Sequence, residues 1–315
     1  MISSLSPTLL WVLGAVLVSL TLGSFARVLS LRSADESLRL QRLACLRTWW
    51  LLALIVGGSL LLGRLGVCLL LAAASLVAFR EYANLLGIRE SERPALIAAD
   101  VIAVINYLLI LLNQASAFVL FIPVGSLAIL ALVQIFQGKT AGYILTTGEI
   151  FWGMMVVFYG MSHAAYIFIH PAFASGPAGP AGWFLYLLIL TEGNDIFQAI
   201  IGRAIRSNKR HLITPTVSPK KTWEGFVGGA AMTIMLACVL APWLTTLDEL
   251  QGALLVGVVI AVAGFFGDIN MSGIKRDSGV KDSSQLLPGM GGLLDRIDSL
   301  TFTAPAFVYL MGWWL

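Results

Sequence analysis

Ten stretches of almost unbroken apolar residues run along this chain, near 7–29, 47–63, 66–87, 94–113, 116–136, 143–169, 180–201, 226–246, 251–273 and 299–315. A helix needs about 17–25 such residues to cross the hydrocarbon of a bilayer. The pattern therefore predicts an all-α polytopic integral membrane protein of about ten transmembrane helices. The second and third stretches form one apolar run broken only by Gly63-Arg64-Leu65-Gly66, and they read either as two spans or as a shallow hairpin. Parity is the same in both cases. The polar segments 30–47, 88–93, 137–142, 202–225 and 274–298, with flanking residues such as Arg27 and Arg80, hold 19 of the 20 lysines and arginines, and only Arg64 falls on the other side. Basic residues stay in the cytoplasm, so the expected orientation is N-out and C-out, with the 202–225 and 274–298 loops cytoplasmic.

Composition agrees. The chain has 315 residues, of which 58% are hydrophobic and 12% charged, against about 25% charged in a soluble domain. Mean hydropathy is +0.88. Cys45, Cys68 and Cys238 are scattered, which predicts neither a disulfide framework nor a zinc site. No basic residue precedes the first apolar stretch and no convincing small-residue cleavage site stands before the first basic residue, so it reads as a retained span. Two regions are expected: an N-terminal transmembrane bundle over 1–180 and a catalytic transmembrane region over 181–315.

The chemistry concentrates in Ser272–Asp298, a segment of acids, bases and glycines between two apolar stretches. It offers Asp282, Asp295 and Asp298 to a divalent metal, and Lys275, Arg276, Lys281 and Arg296 to phosphate. Just upstream, Asp268 lies near the end of a span, where an acid is costly and usually functional. Snorkelling or a packing hydrogen bond is the plainer explanation there. Asp295 and Asp298 are three apart and share a helix face, although the helix macrodipole alone favours acids at such a position. Hard oxygen ligands beside phosphate-binding cations suit Mg²⁺ bridging a nucleotide phosphate. The PGMGG turn at 288–292 is bare enough to bring backbone N–H groups to a phosphate, or is simply a turn. Ser218, Lys221 and Thr222 close the most basic loop at a predicted helix start and make a second phosphate grip. Asp195 and Glu192 lie within a span, and Asp195 sits one turn from Ala199 and two from Gly202, a small-residue face that suits close helix packing. His163, Glu149 and Asp100 read as structural polar residues in apolar spans.

The run Ser272, Lys275, Arg276, Lys281, Asp282, Ser283, followed by Pro288, Gly289, Gly291, Gly292, Asp295, Arg296 and Asp298, resembles the signature of the CDP-diacylglycerol synthase (phosphatidate cytidylyltransferase) family. The upstream run Ser218-Pro219-Lys220-Lys221-Thr222-Trp223-Glu224-Gly225, with Gly228 and Gly229, is similar to that family's, and Gly267-Asp268 precedes the Lys-Arg pair at the family's spacing. The resemblance covers about residues 191–303. Two departures mark a divergent bacterial-type paralogue. Met290 stands where the family has histidine, and Gln198 and Ala199 replace an alanine and a tyrosine after Asp195.

The resemblance implies that CTP and phosphatidate are converted to CDP-diacylglycerol and pyrophosphate in phospholipid biosynthesis. It implies Mg²⁺, a homodimer, and a place in the inner (plasma) membrane with the site facing the cytoplasm. No nucleic-acid partner is expected. Asp268, Asp282, Asp295 and Asp298 are the expected metal ligands and, with Lys275, the catalytic set. Ser218, Lys221, Thr222, Arg276, Lys281, Arg296 and Asp195 are expected at the substrates. Two other readings stand beside this one: a CTP-dependent lipid kinase of the polyprenol type, and a non-enzymatic paralogue or transporter whose buried acids carry ions.

Overall fold

A computed structural model describes residues 6–31, 35–88, 92–138, 141–205, 211–247 and 249–315. Helices make up nearly all of it. They are α1 (Pro7–Ser30), α2 (Glu36–Leu61), α3 (Gly63–Leu85), α4 (Arg93–Leu111), α5 (Ala115–Leu120), α6 (Leu127–Phe136), α7 (Tyr143–Gly153) and α8 (Gly160–Tyr166). Then follow α9 (Gly179–Ala204), α10 (Trp223–Leu244), α11 (Leu250–Asp277), α12 (Leu294–Ile297) and α13 (Leu300–Trp314). Wider π-helical turns at Phe121–Ser126 and Met154–Tyr159 join α5 to α6 and α7 to α8, so each pair forms one continuous rod.

Among the described residues nine helical rods are long and apolar enough to cross a membrane. The chain is thus an all-α polytopic membrane protein, and the second and third apolar stretches are two full-length helices rather than a shallow hairpin. Two expected boundaries move, and the last span keeps its own within one residue at each end. The second helix starts at Glu36, inside the predicted 30–47 loop, because ESLRLQRLACLR places its leucines at helical spacing and continues the helix below the apolar run. The ninth span runs on to Asp277 and carries Lys275 and Arg276 in its last turn, where cations suit the negative end of the helix dipole. The last span is the 15-residue α13, about 22 Å long at 1.5 Å per residue. Asp298 and Ser299 join α12 to it with helical backbone angles, and Ser299 N–H donates to its neighbour Asp298 Oδ1 at 2.8 Å.

The predicted 202–225 loop contains a small antiparallel hairpin, β1 (Leu212–Thr214) and β2 (Ser218–Thr222), with Leu212 opposite Thr222 and Thr214 opposite Ser218. Residues 206–210 of that loop lie outside the described residues. Thr222 ends β2 and caps α10: its Oγ1 accepts from Gly225 N–H at 3.1 Å. A hydrogen bond between the His211 ring and the Glu224 carboxylate ties the hairpin to the first turn of α10. Helix α10 then lies along α9, with Gly225 against Gly202 and Gly229 against Gln198, the close approach expected of that small-residue face.

The N-terminal bundle and the C-terminal region are packed together. Helix α13 lies against both α11 and α8, and α12 lies against α3. An aromatic core that includes Phe79, Tyr82 and Phe158 fills the first half, and Phe173, Trp183, Tyr186 and Phe307 fill the seam. His163 is fully buried, with Nδ1 2.7 Å from Tyr159 O and Nε2 3.2 Å from the Tyr309 hydroxyl, a structural role of the expected kind.

Candidate functional site

The Ser278–Leu293 loop connects α11 to α12, and its conformation is set by two buried carboxylates. Asp295, in the single turn of α12, turns back into the loop. Its Oδ1 accepts from Lys275 Nζ at 2.7 Å. Its Oδ2 accepts from Ser283 N–H at 2.9 Å, Ser283 Oγ–H at 3.0 Å and Gly292 N–H at 3.0 Å. Burial alone would raise the Asp295 pKa, but the Lys275 ammonium and the two backbone N–H donors outweigh it and hold the carboxyl below its ordinary value. Asp295 is therefore ionised at neutral pH with both oxygens already engaged.

The second carboxylate comes from the other half of the chain and was not among the expected site residues. Glu81 of α3 is buried, 7% exposed. It accepts from Leu294 N–H at 2.8 Å, Leu293 N–H at 3.1 Å, Ser284 Oγ–H at 2.6 Å and Ser283 Oγ–H at 3.3 Å. Helix α2 adds a second hold: Thr48 Oγ1 donates to Pro288 O at 3.1 Å. Gly289 sits against this helix in the left-handed region, at φ +77°, where a β-carbon would lie 2.7 Å from Gln41 O. These contacts fix what the PGMGG turn can do. Gly292 N–H is taken by Asp295, Leu293 and Leu294 N–H by Glu81, and Met290 and Gly291 N–H by Leu287 O. The amides of Met290, Gly291 and Gly292 are thus engaged within the loop, and the segment acts as a latch onto α2 and α3. The sequence signal for Glu81 is weak: it is an acid at the end of an apolar span, but beside Arg80 it reads as an ordinary flanking charge.

A second polar cluster lies beside the first. Asp268, on α11, pairs with Lys221 Nζ at 2.5 Å and accepts from Ser272 Oγ at 3.3 Å. Lys221 Nζ also donates to Gln198 Oε1 at 3.3 Å and stands 5.7 Å from the centre of the Phe265 ring. Gln198 in turn donates to Asn194 Oδ1 at 3.0 Å. Gln198, one of the departures from the resembled pattern, is thus a partner of the candidate phosphate-binding lysine. Gly267 lets α11 touch the α12–α13 corner, since a β-carbon there would lie 2.6 Å from Asp298 O. That contact brings Asp268, Asp298 and Asp195 into electrostatic range of one another, with Lys275 acting on Asp298 and Lys221 on Asp195.

The remaining predicted residues divide clearly. Lys281, Asp282, Arg276 and Arg296 are exposed. Arg276 holds the hairpin to the loop by donating to Val217 O at 3.3 Å and Val280 O at 3.0 Å. Arg296 acts on Glu192 across the α9 face. Ser218 begins β2 and is half-buried, while Thr222 is buried as the cap of α10. Asp282 stands near Asp295 across Gly291 and does not enter the Asp195–Asp268–Asp298 group.

The four carboxylates expected to share a metal are therefore split. Among the described residues no three acidic, histidine or cysteine side chains converge at ligating distance as they stand. The donor chemistry of one group still fits a hard divalent cation. Three carboxylates face two lysines, and Asp195 Oδ1 is buried with no hydrogen-bond partner. Asp268, Asp298 and Asp195 are the residues that would hold such an ion, and Asp295 is engaged elsewhere.

The chain matches the cytidylyltransferase family profile over residues 43–314. It is 41% identical over 268 residues to the uncharacterized protein YnbB of Escherichia coli (strain K12), covering 84% of this chain and 86% of that protein. The phosphatidate cytidylyltransferase of Staphylococcus epidermidis is 30% identical over 253 residues, 80% of this chain and 92% of the relative. That of Haemophilus influenzae is 41% identical over 129 residues, 40% of this chain and 44% of the relative.

Proposed function

The chain belongs to the cytidylyltransferase family, and from that premise we propose that it joins CTP to phosphatidate, releasing pyrophosphate and leaving CDP-diacylglycerol. The observation that supports this most is the juxtaposition of two lysine–carboxylate pairs, Lys221–Asp268 and Lys275–Asp295, at the end of the bundle where a latched loop meets membrane helices. A phosphate oxygen of the lipid attacks the α-phosphorus of CTP. The new O–P bond forms as the bond to the β-phosphate bridging oxygen breaks, and that oxygen leaves with pyrophosphate. Such a reaction needs two polyanions neutralised and aligned and little covalent help from the protein.

Lys221 and Lys275 are half-buried and positioned by their carboxylate partners, so they meet phosphate in a water-poor setting where their charge counts for more. Lys220, Lys281 and Arg276 are exposed at the same end and attract the triphosphate before it docks. Mg²⁺ bound by Asp268, Asp298 and Asp195 would supply further charge neutralisation. Phosphatidate is a phosphomonoester whose second pKa lies near ~6, so at pH 7 its nucleophilic oxygen needs no general base. This is consistent with Met290 in place of histidine. Met290→His should change the rate by no more than about tenfold, or ~1.4 kcal/mol, when both forms are assayed over pH 6–9 with phosphatidate. Turnover by the histidine form alone would mean that cations do not suffice.

In this account the protein is a homodimer of the inner (plasma) membrane with N-terminus and C-terminus outside. The basic-residue distribution supports that orientation. With Cys45, Cys68 and Cys238 removed, a cysteine at Glu249 should react with an impermeant thiol reagent on intact cells and one at Asp35 should not; the opposite pattern inverts the orientation. The reaction itself is tested by incubating purified protein with CTP, Mg²⁺ and phosphatidate and identifying both products. CDP-diacylglycerol with pyrophosphate is expected. CDP with a newly phosphorylated lipid alcohol would assign the chain to lipid kinase chemistry instead.

A further inference from the structure

Gln198 stands where the chain departs from the resembled pattern, and the fold builds it into the site. Its side chain is buried. The stem has little freedom, because α10 closes on it: a β-carbon on Gly229 would lie 2.9 Å from Gln198 Cα and closer still to its Cγ. The amide at the end of that stem links two neighbours. Oε1 accepts from Lys221 Nζ at 3.3 Å, and Nε2 donates to Asn194 Oδ1 at 3.0 Å. Thr233 Oγ1 stands 3.2 Å from the same Asn194 oxygen, and both Asn194 and Thr233 are fully buried. The ammonium sets the polarity of this row. Turned over, the Gln198 amide would put its NH₂ against a group that can only donate.

Lys221 needs such a partner. Its charge rides on a flexible four-carbon stem, so a single contact fixes its distance and not its direction. Asp268 supplies one contact at 2.5 Å. In the proposed reaction that carboxylate also serves Mg²⁺, and a cation there competes with the lysine for its oxygens. Gln198 is neutral. It neither attracts the metal as a carboxylate does nor cancels the charge of the lysine. An ammonium has three N–H donors. Among the described residues two are engaged, by Asp268 and Gln198, and the third is left for a phosphate oxygen.

We propose that Gln198 is a positioning residue for the nucleotide: backed by Asn194, it holds Lys221 at the angle from which the ammonium meets the triphosphate of CTP. The inference rests on the reading of this site as a cytidylyltransferase. It requires that Gln198 act on CTP, through Lys221, and not on the lipid.

The test is equilibrium binding of labelled CTP, with Mg²⁺ and without phosphatidate, to the full-length protein in phosphatidylcholine nanodiscs, followed by steady-state kinetics with phosphatidate. Gln198→Met keeps an unbranched stem that fits against Gly229 and removes the strong acceptor. Gln198→Ala supplies the residue of the resembled pattern and keeps the test open if the longer side chain disturbs packing. Thermal melting checks that each variant is folded. Both should weaken CTP binding about tenfold, or ~1.4 kcal/mol. The KM for CTP should rise to match, with kcat and the KM for phosphatidate within about twofold of wild type. In a Lys221→Met background the same changes should cost less than about twofold in CTP binding, because the two residues act as one unit. Unchanged CTP binding in both Gln198 variants overturns the proposal. So does a tenfold loss that persists without Lys221, which would make Gln198 a packing residue. Wild-type protein that binds no CTP overturns the cytidylyltransferase reading and this inference with it, whereas wild-type binding with no effect of Gln198 overturns this inference alone.

Discussion

Asp268→Asn should lower turnover by about a thousandfold or more, or ~4 kcal/mol of transition-state stabilisation, in a protein that still inserts and folds. Asp268 is the hub of its cluster. It positions Lys221 at 2.5 Å, and it is the member of the Asp195–Asp268–Asp298 group that pairs directly with a lysine of the β1–β2 hairpin. Asparagine keeps the shape and the hydrogen bond to Ser272 but removes the charge on which both Lys221 and a divalent ion depend. The measurement is the rate at saturating CTP as Mg²⁺ is varied. If Asp268 serves only to pack α11, the variant will retain wild-type rate and Mg²⁺ dependence.

Glu81→Ala should cut kcat by about a hundredfold while leaving the KM for CTP within a few-fold. Glu81 touches no expected substrate position; it acts by holding the loop that carries Ser283 and sets Asp295. Removing it strands two backbone N–H groups and the Ser284 hydroxyl, while Ser283 Oγ–H keeps Asp295 Oδ2 at 3.0 Å, at roughly 1–3 kcal/mol for each group that finds no water. A displacement of about 1 Å in catalytic groups is enough for a hundredfold loss. The nearly isosteric Glu81→Gln separates latching from packing. Both carboxylate oxygens accept from two donors each, so an amide places an NH₂ against donors whichever way it faces. Gln should therefore fall with Ala, and Glu81→Asp, which keeps two acceptor oxygens, should recover part of the rate. Near wild-type turnover in the glutamine variant would reduce Glu81 to a packing residue.

The membrane spans were legible in the sequence because long apolar runs have a single use in a lipid setting. Their ends were less so. The α2 helix begins in a charged stretch whose leucines are spaced for a helix but whose composition reads as loop. At the site, Lys221, Lys275, Asp268 and Asp295 stood out as charges beside glycines, and the structure brings them to one end of the bundle. Their pairing was not legible, because Lys275 takes Asp295 across a loop and Lys221 takes Asp268 across two helices. Glu81 lay beyond reach for the same reason. Its partners are more than two hundred residues away, and beside Arg80 it reads as an ordinary flanking charge.

The central claim is that this site transfers a cytidylyl group to a lipid phosphate, and CTP labelled separately at its α- and γ-phosphorus tests it most directly. With purified protein, Mg²⁺ and phosphatidate, the α-label should appear in the lipid and the γ-label in pyrophosphate, with both transfers lost in Asp268→Asn. Appearance of the γ-label in the lipid, or transfer that persists undiminished in Asp268→Asn, would contradict the account.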